Sequence, residues 1–205
     1  LFSAVTLLSV AFGPSETQGQ DAPFVTVWDT RINGETDNDQ IKIPGTGTDY
    51  TIEWEEVGNP SNDSSGTGSD AFHVVTFPSP GTYRVKISGD FTRINFGSAA
   101  GGDRNKIVQV EQWGDIKWES MENAFGRATN VEISADDAPD LSNVTSARRM
   151  FRDAESVTGE NSNMESWDTS NITNMASMFE QAESFNYDIS SWDVSSVTEM
   201  NDMFR

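Results

Sequence analysis

After residue 110 the chain repeats itself, and the repeat restricts what it can fold into more than any other feature. Four thirteen-residue stretches, 113–125, 139–151, 167–179 and 192–204, each open on Trp113, Pro139, Trp167 or Trp192 and close on Phe125, Phe151, Phe179 or Phe204. The closing Phe recurs after 26, 28 and 25 residues. A period in that range marks a solenoid whose units bury their faces only against one another. Aligned on that Phe, further apolar columns fall into register: Trp118, Val144, Ile172 and Val197; Met121, Ala147, Met175 and Met200; Ala124, Met150, Met178 and Met203; Ala128, Ala154 and Ala182. Their spacing of three, three, one and three predicts one stripe of a short helix. A helix of about ten residues is marginal alone, so stacking on the next unit must hold it. Val131, Val157 or Phe185 follows each Ala and opens an extended segment. Each unit thus reads as a strand plus a short helix, with successive strands pairing in parallel.

Residues 21–110 alternate as strands do. Phe24 to Trp28 puts Phe24, Thr26 and Trp28 on one face and Val25 and Val27 on the other. Gln40 to Ile43, Tyr50 to Glu55, Phe72 to Phe77, Thr82 to Ile87, Ile94 to Gly97 and Lys106 to Val110 supply the other extended pieces. An antiparallel β-sandwich of six or seven strands is the economical solution. The polar run Asn59 to Asp70 reads as a flexible, solvent-exposed loop. The expected organisation is therefore β-rich and two-domain: a segment and linker at 1–20, a β-sandwich at 21–110 and an LRR-like α/β solenoid of about four units at 111–205.

Leu1 to Gly13 is mostly apolar but too short to cross a bilayer as a helix. It reads as the remnant of a secretory signal followed by a polar linker, with a core strand or a segment packing on a neighbouring subunit as the alternatives. The repeat is expected to continue past Arg205. With 33 acidic against 13 basic residues the formal charge is -20, which repels phosphate backbones and makes nucleic acid an unfavourable partner. No Cys is present, so thiolate metal sites and disulfides are excluded.

Residues Phe185-Asn186-Tyr187-Asp188-Ile189-Ser190-Ser191-Trp192-Asp193 and on to Met203-Phe204 resemble the bacterial surface-protein repeat of about 25 residues, the BspA-like leucine-rich repeat of DUF285 type. The stretch from Trp167 to Ala182 follows the same pattern, whereas the first two units are degenerate, with Pro139 in place of Trp and the Asp displaced to Asp115. That resemblance implies a cell-surface or secreted protein used in adhesion or recognition, and it implies no reaction. In the first half, Phe77, Gly81, Tyr83 and Val85 resemble the end of polycystic-kidney-type (PKD) immunoglobulin-like modules; Trp54 is followed by Glu55-Glu56-Val57 where those modules carry Gly-Asp-Gly.

Asp140, Asp168 and Asp193 recur at one position of the unit. Each is expected to accept backbone N–H groups in its own turn, as in an Asx turn. A calcium ladder built with neighbouring carbonyls is the competing reading. Trp167, Trp192 and Tyr187 form either core or an aromatic platform for sugar, and period-locked apolar residues favour core. His73, the single His, has no metal or nucleophile partner in the pattern and reads as an ordinary strand residue. No catalytic or cofactor-binding residue is identified. The expected repeat core is Phe125, Met150, Phe151, Trp167, Ile172, Met175, Met178, Phe179, Phe185, Trp192, Val197, Met200, Met203 and Phe204. The expected function is non-enzymatic display of an extended face to an extracellular protein, a glycan or copies of the same chain. Two further expectations stand beside it: a structural subunit of an extracellular filament that assembles through residues 1–13, and a non-catalytic appendage of a larger secreted enzyme.

Overall fold

The computed structural model describes residues 22–68, 72–97 and 101–205; the apolar segment 1–13 and its linker lie outside the described residues. The described residues form eight strands: β1 (Phe24–Asp29), β2 (Gln40–Ile43), β3 (Gly45–Glu56), β4 (Asn59–Gly68), β5 (His73–Thr76), β6 (Thr82–Ile94), β7 (Ile107–Gln112) and β8 (Glu132–Ile133). Six of them make one sheet in the order β4-β3-β6-β1-β7-β8, and β2 pairs with β5 in a second, two-stranded sheet. Every pair is antiparallel except β7 with β8, which is parallel. Among the described residues the fold is β-rich and forms no closed barrel.

The alternation of β1 has its expected inner face: Phe24, Thr26 and Trp28 are 0–1% exposed. Val25 and Val27 are buried as well, because β1 lies in the interior of the sheet and its outer face is flanked by Arg84 and Lys86 of the neighbouring strand. Arg84 there donates to Glu55 and Glu111, and Lys86 to Glu55, so the long stems lie over the valines while the charges pair above them. Ile41, Ile43 and Val75 of the small sheet, with Phe77 just after β5, enter the same core as Tyr50, Trp54 and Tyr83 of the large one.

The polar run expected to be a flexible loop is instead strand β4, paired with β3 from Tyr50↔Gly68 to Glu56↔Asn59. It shows no apolar alternation because it is an edge strand with solvent on both faces; its backbone hydrogen bonds, not burial, hold it there. Gly68 is required, since a Cβ would stand 2.3 Å from the Tyr50 ring.

No α-helix occurs among the described residues, and the expected helix of each repeat is a chain of tight turns. In the first unit Ala124 N–H donates to Met121 O, Ala128 N–H to Phe125 O and Val131 N–H to Ala128 O. The same bonds recur from Met150 to Ala147, Ala154 to Phe151 and Val157 to Ala154, and again from Met178 to Met175, Ala182 to Phe179 and Phe185 to Ala182. The third residue of successive turns is left-handed: Asn123, Arg127, Arg149, Asp153, Ser177, Gln181 and Asp202 have φ between 54° and 66°. A three-residue step therefore brings an apolar side chain inward at each turn corner. That spacing is shared with a helix face, which is why the two look alike in sequence.

The backbone groups left over point between units. The N–H groups of Met121, Asn123, Phe125 and Arg127 donate to the carbonyls of Ser146, Arg148, Met150 and Arg152. Those of Ala147, Arg149, Phe151 and Asp153 donate to Asn174, Ala176, Met178 and Glu180, and Met175, Ser177, Phe179 and Gln181 to Glu199, Asn201, Met203 and Arg205. These ladders hold the closing Phe rings in one row, with centroids 5.7, 5.5 and 5.6 Å apart and planes within 15°. Phe125, Phe151 and Phe179 are buried, as are Met150, Trp167, Ile172, Met175, Met178, Trp192 and Met203. Phe185 and Val197 are only partly buried. Met200 and Phe204, expected in the core, are 41% and 61% exposed; the Phe204 ring meets Phe179 and Phe185 on one of its faces.

The division placed near residue 110 falls inside β7, and one hydrophobic core runs through both halves. Trp118 meets Phe24 edge-on at 5.1 Å and Phe91 at 6.0 Å, and Phe96 N–H donates to Asn123 O at the start of the stack.

Phe151, ringed on both sides, and Phe204, covered on one, give a direct test of stacking. Phe151→Ala is expected to lower unfolding free energy by about 3–5 kcal/mol, and Phe204→Ala by far less. Equal losses in chemical denaturation would contradict the stacked arrangement.

Candidate functional site

The turn ladders decide which side chains of the repeat reach solvent. Residues two positions before the Val144/Ile172/Val197 column and one position either side of it point outward: Ser142, Asn143 and Thr145; Asn171 and Thr173; Ser195, Ser196 and Thr198 are exposed, with Ser170 partly so. The threonine hydroxyls follow the stack, Thr173 donating to Thr145 O at 3.1 Å and Thr198 to Thr173 O at 3.2 Å. Asn171 Nδ2 donates to Ser142 O at 3.3 Å, again across a unit boundary. The result is a polar face of like residues in register, built on a dry interior.

Asp140, Asp168 and Asp193 lie along this face. Each accepts the backbone N–H two residues on, from Ser142, Ser170 and Ser195 at 3.0, 3.1 and 2.9 Å, and Asp188 does the same for Ser190 at 2.9 Å. Asp188 escaped the sequence reading because its turn falls outside the Trp-to-Phe stretch. The Lys117 ammonium, bonded to Asp140, and the Ser142 hydroxyl and N–H together hold its carboxyl down at about 2. Bonds from Ser170 lower Asp168, while the Asp193 charge opposes them weakly; bonds from Ser195 lower Asp193. Among the described residues no group of three or more His, Cys, Asp or Glu is placed to hold a metal ion.

Trp167 and Trp192 are not presented to solvent as a platform. They stack inside the solenoid 5.9 Å apart at 12°, 4% and 7% exposed, and Trp192 Nε1 donates to Met164 O. Pro139 stands in the same column of the second unit, and Trp113 meets Trp167 edge-on at 5.3 Å. Tyr187 is half-buried, its hydroxyl shared between Ser162 O and the Glu165 carboxylate. His73 sits in β5 opposite Ile43, its ring 6.4 Å from Tyr50.

Charge pairs cross the unit boundaries: Arg148 with Glu122 at 3.1 Å, Arg127 with Asp153 at 3.5 Å, Arg152 with Glu180 at 3.3 Å, and Lys117 with Asp140. These are partly exposed and individually weak. Their pattern matters more, because at these boundaries opposite signs meet across consecutive units. Pairing of this kind is invisible until the unit register is known. At the far end of the stack an open groove of about 460 Å³ is lined by Phe179, Ala182, Phe185 and Phe204.

Residues 119–205 match the family described as "Mycoplasma protein of unknown function, DUF285". No curated protein and no solved structure matches the chain. Among the described residues no helix is long and apolar enough to cross a membrane.

Two measurements probe the carboxylate row. A carboxyl held below its unfolded value of ~4 contributes stability that is complete above that value and is lost as pH falls towards the folded one. Lys117→Ala is expected to raise the NMR-titrated pKa of Asp140 from about 2 towards ~4, with the acid limb of unfolding moving up in pH accordingly; a titration unchanged by the substitution would deny the lysine its part. Removal of calcium with EDTA is expected to leave the melting midpoint unaltered, since each Asp is engaged in its own turn, and a clear fall would revive the calcium ladder.

Proposed function

We propose that this chain is a cell-surface or secreted, non-enzymatic repeat protein whose stacked face binds an extracellular protein or glycan. The observation that carries the reading is the division of each unit into a buried aromatic and Met interior and an exposed Asn, Ser and Thr column repeated in register. A solenoid offers such a face over a length that single loops cannot span. The family match over 119–205 supports a surface repeat protein and brings no reaction with it. The formal charge of -20 favours partners that are neutral or basic over nucleic acid.

The β-rich first half serves in this reading as an immunoglobulin- or PKD-like module. The Trp54, Phe77 and Tyr83 cluster, with Phe77 stacked on Tyr83 at 3.9 Å and Trp54 edge-on to both, supports that assignment. Tyr83 Oη also donates to Ser79 O four residues upstream, a local tie that fixes the turn before β6.

Protease treatment of intact cells should remove the native protein from the surface fraction, and glycan and matrix-protein arrays should show binding. Replacing the exposed column by Asn143→Arg, Asn171→Arg and Ser196→Arg together is expected to weaken that binding at least tenfold with little change in melting. Protein that fractionates with the cytoplasm, or binding indifferent to these substitutions, would sink the proposal.

A further inference from the structure

Among the described residues outside the repeat, a heavily built polar cluster surrounds Lys106. Its side chain is fully buried, yet the ammonium has four oxygens around it: Thr36 O at 2.9 Å, Thr36 Oγ1 at 3.0 Å, Asp37 O at 2.8 Å and Gln40 O at 2.9 Å. Asp103, also buried, sits 3.8 Å from the ammonium and accepts from Glu35 N–H, Thr36 N–H, Thr36 Oγ1 and Lys42 N–H at 2.5–3.1 Å. Backbone bonds tie the same residues outward, Asp29 N–H to Lys106 O and Asp103 N–H to Lys42 O. Gly34 leaves the room that the cluster needs, since a Cβ there would stand 2.2 Å from an Asp103 carboxylate oxygen. Burial pushes the Lys106 ammonium below the usual lysine range, and the Asp103, Asp37 and Asp39 carboxylates pull the other way.

Three main-chain carbonyls and a hydroxyl converging on one point, with carboxylates behind them, make a coordination shell for a hard cation of single charge. The turn Glu35-Thr36-Asp37-Asn38-Asp39 brings three carboxylates close together, and a positive charge held beneath it offsets part of their repulsion, as Lys42 does for Glu35 from outside. We propose that the Lys106 ammonium is a built-in cation that occupies this cage, locking residues 34–42 onto β1 and the 101–106 connection with no ion taken from solution. The arrangement is a monovalent-cation site whose occupant is tethered through the chain. Because both charges are shielded from solvent, dissolved salt does not screen them and chelators find nothing to remove.

Truncating the lysine empties the cage and leaves its acceptors unsatisfied. Lys106→Ala and Lys106→Met are expected to melt roughly 10 °C below the parent chain. Ammonium chloride should then restore much of the loss in Lys106→Ala, whereas tetramethylammonium chloride at equal ionic strength, too large for the cage, should not. In Lys106→Met the retained stem blocks entry, so neither salt should help. Recovery equal in both salts, or variants that melt with the parent, would overturn the proposal. Should Lys106→Ala not fold in either salt, hydrogen exchange on the unaltered chain decides: the Glu35, Thr36 and Lys42 amides should keep their protection when every small monovalent cation in the buffer is replaced by tetramethylammonium, and losing it there would show that an exogenous ion holds the turn.

Discussion

Hydrogen bonding between the backbones of consecutive units is the interaction on which the rest of the repeat depends. Every second N–H from Met121 to Arg127, from Ala147 to Asp153 and from Met175 to Gln181 is satisfied by the following unit. A buried N–H or C=O without a partner is expensive, so a single unit folded this way would be unstable by itself. The same bonds set the rise of the stack, and the rise sets the near-parallel Phe row. Aromatic packing and backbone pairing are thus two consequences of one geometry. Turns with left-handed residues are tolerated here because the neighbours on both sides hold them in place.

The start of the stack is protected by the sheet. β8 pairs with β7, Trp118 packs on Phe24 and Phe91, and the first turn accepts a hydrogen bond from Phe96. The degenerate first units fit this position: Trp113 and Trp118 serve the shared core, and Trp113 meets Trp167 two units on. Departures from the repeat pattern therefore mark the places where a unit faces something other than a unit.

Charge is handled differently in the two halves. In the repeat, ion pairs are shallow, cross each boundary and favour one order of units over another. In the sheet, the Lys106 and Asp103 pair is deep and fully ligated, where a half-satisfied network would be worse than an apolar core. An acidic chain gains from both arrangements. One leaves its polar face regular, and the other gives an acidic turn an internal counter-charge.

The sequence by itself determined that the units stack and marked much of the interior, because burial at a fixed period leaves its mark on successive copies: Phe125, Phe151 and Phe179, Met175 and Met178 and the inner face of β1 were legible, whereas Met200 and Phe204 of the same columns are exposed. The Asx turns at Asp168 and Asp193 were legible too, being local. Tertiary structure alone decided the conformation between those columns. A step of three residues satisfies a helix stripe and a chain of turns equally, and the choice fell to inter-unit hydrogen bonds that a single unit cannot express. β4 was hidden because an edge strand with two wet faces has no hydrophobic alternation to display. Lys106 was hidden because three of its four ligands are main-chain carbonyls some seventy residues away in sequence, and a carbonyl carries no residue identity for a sequence to record.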